Sequence, residues 1–144
     1  MTGSVTRSAT GSVTRSVALG LCATALLAVA SCSHDGSYRL SWVFEDQATK
    51  ATESTATGCG RHYVDSLMAT GIDDGGDVQQ IVAPCISGWM TASATPGTWS
   101  FSVQMLDAQG ALLPSDPSAD MTTRPEPIVS DGPQTQFSVT LSPL

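Results

Sequence analysis

The sequence predicts an all-β domain, a small sandwich of two antiparallel sheets carrying one disulfide and preceded by a helical signal peptide. Three observations lead there. Large apolar residues fall on every second position in several short segments between residues 38 and 141, the period of a strand with one buried face. Past residue 37 no segment carries a convincing helical stripe, and six or seven short strands without helices argue for two packed sheets. Cys59 and Cys85 are the two cysteines that fall within this alternating region.

Taken in order, Tyr38, Leu40, Trp42 and Phe44 alternate with Arg39, Ser41 and Val43 and define the first strand. Residues 45–58 (EDQATKATESTATG) hold no large apolar side chain and read as a loop. In residues 59–71 (CGRHYVDSLMATG), Tyr63, Val64, Leu67 and Met68 fit one helical face, but the brevity of the segment and its Val, Tyr and Thr content favour a strand with a small bend. Residues 73–77 (DDGGD) read as a turn and 78–85 (VQQIVAPC) as a strand with Ile81, Ala83 and Cys85 on one face, Pro84 placing its end at a sheet edge. After a short strand at 88–93, Thr95-Pro96-Gly97 turns the chain into the clearest strand, where Trp99, Phe101, Val103 and Met105 alternate with small polar residues. Asp107-Ala108-Gln109-Gly110 reads as a hairpin turn with glycine in the left-handed position, returning into residues 111–113. Residues 114–133 contain five prolines, too many for helix or central strand, with Met121, Ile128 and Val129 placed to pin the segment to the sandwich. Phe137, Val139 and Leu141 alternate in the last strand.

The stretch PGTWSFSVQMLDAQGALL at 96–113 resembles the aromatic hairpin of prealbumin-like modules, such as carboxypeptidase regulatory-like and collagen-adhesin B-type domains. That resemblance implies a prealbumin-like or immunoglobulin-like sandwich and no activity. Against an immunoglobulin pattern, no tryptophan lies between Cys59 and Cys85, and their separation is short.

At the amino terminus TGSVTRS occurs at 2–8 and again at 10–16, a Ser/Thr-rich stretch whose charges are Arg7 and Arg15. The uncharged run VALGLCATALLAVA at 17–30 has the length of a signal-peptide apolar region and is too short to span a bilayer. It ends in Val29-Ala30-Ser31-Cys32, which resembles the lipobox of bacterial lipoproteins: an aliphatic residue, two small ones, then cysteine. The resemblance implies cleavage after Ser31, diacylglycerol on the Cys32 thiol, a lipidated tether over 32–37 and a domain over 38–144. Two or three acyl chains would hold such a protein durably at about 0.8 kcal/mol per buried CH₂. Ser33 stands where, in bacteria with two membranes, aspartate favours inner-membrane retention, so the outer membrane of the cell envelope is the expected address. The plainer alternative is a secretory signal cut near Ala30, leaving Cys32 a spare thiol. Lipobox, aromatic strand, two cysteines and hairpin together resemble small lipoproteins of bacteria with GC-rich genomes.

Removal of residues 1–31 leaves Arg39, Lys50, Arg61 and Arg124 against all 13 acidic residues, a net charge of −9 that excludes a nucleic-acid partner and repels anionic headgroups. A disulfide between Cys59 and Cys85 is the expected use of those thiols; a redox pair lacks the C-x-x-C spacing. His34 and His62 have no E-x-x-H or H-x-H partner spacing and read as solvated. Asp73, Asp74 and Asp77 with Gly75 and Gly76 form an acidic turn lacking the longer ligand set of a calcium loop. Trp42 and Trp99 sit on inward faces, whereas Trp89 has no clear inward face and is the first place to look for a carbohydrate or protein contact. No cofactor or metal site is expected. The sequence therefore points to a lipid-anchored, non-enzymatic binding or structural module with the membrane as its first partner. The alternative is a small envelope enzyme or metal-dependent hydrolase, which needs His62 to converge with Asp65, Asp73, Asp74 or Asp77 in a pocket.

Overall fold

The computed structural model describes residues 34–144. The expected signal peptide and Cys32 lie outside the described residues. The first strand, β1 (Gly36–Glu45), begins two residues before the expected domain start and buries Tyr38, Leu40, Trp42 and Phe44, each at most 2% exposed. Then come β2 (Thr52–Glu53), helix α1 (Thr55–Arg61), β3 (Ser66–Asp73) and β4 (Val78–Pro84). A 3-10 turn at Cys85–Ser87 leads to β5 (Trp89–Ala94), β6 (Gly97–Leu106), β7 (Glu126–Ile128) and β8 (Thr135–Leu141).

The strands form two four-stranded sheets. In the first, β1 is central. It pairs with β8 along residues 38–44 on one edge, and on the other with β5 along 36–41 and β2 at 44–45. The second sheet runs β4-β3-β6-β7, all antiparallel. One pair departs from the expected antiparallel arrangement: β1 and β8 run parallel. These are the first and last strands, and the whole second sheet is threaded between them, so no short hairpin dictates their relative direction. Alternation fixes which faces meet. Tyr38 and Phe137 from the first sheet meet Phe101 from the second at ring-centroid distances of 4.8 and 4.9 Å from Phe101, with Trp99 6.1 Å beyond it. Tyr38 is fully buried and its hydroxyl donates to Gln79 Oε1 at 3.2 Å; burial pushes its ionisation well above the usual 10.0.

Residues 45–58, expected to be loop, contain β2 and the start of α1. Ser54 caps the helix by accepting from the Thr57 amide. Two glycines and two threonines in seven residues are poor helix formers, and no apolar stripe announces the element. Tertiary contact holds it instead, with Gly58 lying flat on the Phe44 ring where a Cβ would collide. The expected strand over 59–71 therefore begins only at Ser66, because its first residues complete the helix. The hairpin turn is as expected: Gly110 has φ +77°, and Asp107 accepts from the amides of Gln109 and Ala111.

The proline-rich segment is tied to the second sheet. Thr123 donates its amide to Phe101 O at 2.8 Å while its hydroxyl accepts from Phe101 N–H at 3.0 Å, and Met121 O accepts from Val103 N–H. Ile128 is buried and Met121 partly so; Val129, expected to help pin the segment, is 46% exposed, its place against Gly36 taken by backbone.

Gly71, buried on β3, faces the Phe101 ring so closely that a Cβ would overlap it. Gly71→Ala is expected to destabilise the domain by about 1–3 kcal/mol through overpacking, read as a lower urea midpoint at unchanged slope.

Candidate functional site

Strand direction divides the domain into two ends. The chain enters at His34, whose carbonyl accepts from Ser130 Oγ and whose ring lies 3.4 Å from Asp131. At this entry end lie the start of β1, the 73–77 turn, Thr95 and Pro96, and the start of β8. At the other end β1 finishes beside β2, α1 packs on it, and the turn after β4 meets the helix. Ten residues of β1 at ~3.3 Å each put the two ends about 30 Å apart.

The far end is a cross-linked tip. Cys59 in α1 is bonded to Cys85 in the 3-10 turn, with Cα atoms 5.9 Å apart. Closing a 26-residue separation is worth about 3.5 kcal/mol by loop entropy. Trp42 Nε1 donates to Cys85 O at 2.9 Å, so the turn is also bonded to the central strand. Gly88 then takes a left-handed conformation, φ +73°, and directs the chain into β5.

A charged cluster clamps the helix end to the β1–β2 corner. Arg61 Nη1 donates to Asp46 Oδ2 at 2.9 Å and to Glu53 Oε1. His62 stacks on Phe44 at 6.0 Å between centroids and points Nε2 at Glu53 Oε2 from 3.8 Å. Hydrogen bonds from the Thr49 backbone and side chain, helped by Arg61, hold the Asp46 carboxyl below the usual carboxylate value. The same two carboxylates draw the Arg61 guanidinium upward, Glu53 first.

The residue after this clamp is unusual. Val64 N–H donates to Cys59 O at 3.0 Å and Val64 is buried, the six-residue closure that terminates helices through one left-handed residue, normally glycine. Here that residue is Tyr63, with φ +57° and 82% of its surface exposed. A bulky side chain in this conformation costs on the order of 1–2 kcal/mol, and Tyr63 recovers none of it by burial. Val82 and Ile86 are exposed and line, with Gly60, Val64 and Pro84, a shallow depression of about 580 Å³. A second depression, of about 390 Å³, is lined by Tyr63, Asp65 and Asp107.

The residues singled out from sequence are dispersed. His62 meets Glu53, not an aspartate. Asp65 lies at the start of β3, and Asp73 closes that strand eight residues on, roughly 25 Å away. Asp73 Oδ1 accepts from Asp77 N–H at 2.7 Å and Asp74 Oδ1 from Thr98 N–H at 3.2 Å, so these carboxylates are turn acceptors at the entry end. Among the described residues no group of three or more His, Cys, Asp and Glu side chains is placed to hold a metal ion. Trp89 is 47% exposed, but the Arg39 guanidinium sits 4.5 Å over its ring, covering one stacking face. Beyond its place in a candidate helical face, nothing in the sequence marks Tyr63, because its signal is conformational. A tyrosine gives no sign that it stands where a glycine belongs until the helix before it is known.

What fold and site define is a small disulfide-tied β-sandwich with a rigid aromatic and aliphatic tip. No protein-family model, curated protein or solved structure matches the chain.

Two outcomes follow. Tyr63→Gly is expected to raise stability by about 1 kcal/mol, by relief of the left-handed strain, measured by urea unfolding. Because the folded-state pKa of Asp46 is depressed, its contribution is present above the unfolded value of 3.8 and is lost as pH falls through the folded one. The thermal midpoint of the parent chain should fall more steeply below about pH 4 than that of Asp46→Asn.

Proposed function

We propose that the protein is a lipid-anchored module of the bacterial cell envelope, non-enzymatic, that displays its tip to a partner protein. Tyr63 carries this reading. A bulky side chain held in a strained conformation and almost wholly exposed is a cost to folding that recognition can repay. Rigidity supports it, since the disulfide, the Trp42–Cys85 bond and the Arg61 clamp order the tip before any partner arrives, lowering the entropy lost on binding.

The anchor reading rests on Val29-Ala30-Ser31-Cys32. Only Ser33, His34 and Asp35 would separate a lipidated Cys32 from Gly36, where β1 begins, so the reach from anchor to strand is at most about 14 Å. A tether that short turns the entry end toward the bilayer and the tip away from it. The entry end carries Asp35, Asp73, Asp74, Asp77 and Asp131, all in segments that would face headgroups, which favours a stand-off from an anionic surface.

Intact mass spectrometry of membrane-extracted protein should give a chain starting at Cys32 with diacylglyceryl added, and Cys32→Ala should abolish the addition. An unmodified chain starting elsewhere would refute the anchor. For the tip, a photo-crosslinking residue at position 63 should form a discrete adduct in intact cells that the same residue at exposed Thr91 does not. Equal labelling from both positions would refute tip recognition.

A further inference from the structure

The two flanks of the sandwich are built differently. On one, β4 and β5 close the gap between the sheets, Gln79 reaching from β4 to donate to Ser93 O on β5 at 3.1 Å. On the other, the sheets touch at the entry end, where Thr135 Oγ1 donates to Pro127 O, and then part. The space between is a cleft of about 400 Å³, walled on one side by residues 136–140 of β8 and on the other by Asp120, Thr122, Arg124 and Glu126.

Both walls are strand edges. β8 pairs with β1 on one side, and five consecutive residues of β8 line the cleft, so its outer main-chain edge faces the opening. The far wall is the segment that extends the second sheet through the Ser102–Thr122 bridge and the bonds from Thr123 and Met121 to β6. Proteins defend free edges with proline, charge or brevity. β2 is two residues long, β7 holds Pro127 and is preceded by Pro125, and β4 ends at Pro84. Along β8 the sequence Gln136-Phe137-Ser138-Val139-Thr140 has no proline and no charge. Among the described residues that edge is unpaired, and it is β-prone and undefended.

We propose that this cleft is a strand-addition site that takes an extended peptide segment of a partner protein, closing the gap between the sheets. The walls select the occupant. The outer edge of β8 offers main-chain donors and acceptors that only an extended backbone can satisfy, which excludes a helix, while on the facing wall the Thr122 N–H is already held by Asp120 Oδ1 and Pro125 has none. Side chains turned inward meet buried Phe137, Val139 and Thr123 and must be small and apolar or β-branched. Outward-turned ones lie along Gln136, Ser138 and Thr140. Among the described residues, Arg39, Lys50 and Arg61 are already engaged with Trp89, Glu45 and the Asp46–Glu53 pair. The cleft itself holds Asp120 and Glu126 against Arg124, on a domain of four basic and 13 acidic residues. The preferred segment therefore alternates small β-branched with polar residues and carries basic flanks.

The probe is the peptide acetyl-Lys-Thr-Val-Thr-Val-Thr-Lys-amide, added to the intact chain and followed by fluorescence anisotropy and amide hydrogen exchange. Binding is expected with slowed exchange at residues 136–140. It should weaken at least tenfold when the five central peptide nitrogens are methylated, which keeps the side chains but removes the donors. Glu126→Lys, an exposed change on the cleft wall, should weaken it at least fivefold, while Tyr63→Gly leaves it unchanged. Ser138→Pro should abolish it, provided its circular dichroism matches the parent. Any of three results overturns the proposal: no binding up to roughly 1 mM, equal binding of the methylated peptide, or protection of 136–140 in a concentration-dependent dimer of the chain itself.

Discussion

The inward face of β1 is the surface on which the rest of the domain is assembled. Tyr38 closes the aromatic contact with Phe101 and Phe137 across the sheets, and Trp42 reaches the carbonyl of Cys85. Phe44 lies under Gly58 and against His62. Both edges of the strand are taken, by β8 on one side and by β5 and β2 in succession on the other. A strand bonded on both sides, with its alternate side chains fully desolvated, has no register other than this one. Slipping it by a single residue would put Arg39, Ser41 and Val43 into the core.

From that constraint the tip follows. The helix α1 has little intrinsic tendency to form and no apolar stripe, so its position comes from Phe44, the disulfide and the Arg61 clamp. Once the helix is fixed, its termination is fixed as well, and Tyr63 must adopt the left-handed conformation because buried Val64 and the Cys59 carbonyl leave the backbone no other path. Strain at one exposed residue is thus an outcome of well-ordered packing beneath it. A loop at the same place could present the same side chain only by ordering itself on binding.

Parallel pairing of the first and last strands has a second consequence. It places both of their starts at the chain's entry end, and it leaves β8 as the outer strand of its sheet, with the proline-rich segment opposite rather than beside it. That segment cannot complete the sheet because Pro125 and Pro127 lack donors. It instead continues the second sheet through Thr123, whose hydroxyl accepts the Phe101 amide proton alongside the ordinary main-chain bond. The open flank is therefore a product of where the prolines fall.

Read alone, the sequence determined the all-β class, the inward faces of β1, β6 and β8, the glycine turn at 110 and the pairing of Cys59 with Cys85. Each is a local period, a turn chemistry or a count, and each survives in any fold that buries one face of a strand. Only the tertiary structure decided the rest. The α1 helix, the parallel β1–β8 pair, the strained exposure of Tyr63, the meeting of His62 with Glu53 and its separation from Asp73, Asp74 and Asp77 all depend on contacts that no local period announces. Such contacts are set by which surfaces the closed core leaves in reach. Alternation says which way a side chain points; it does not say what will be waiting there.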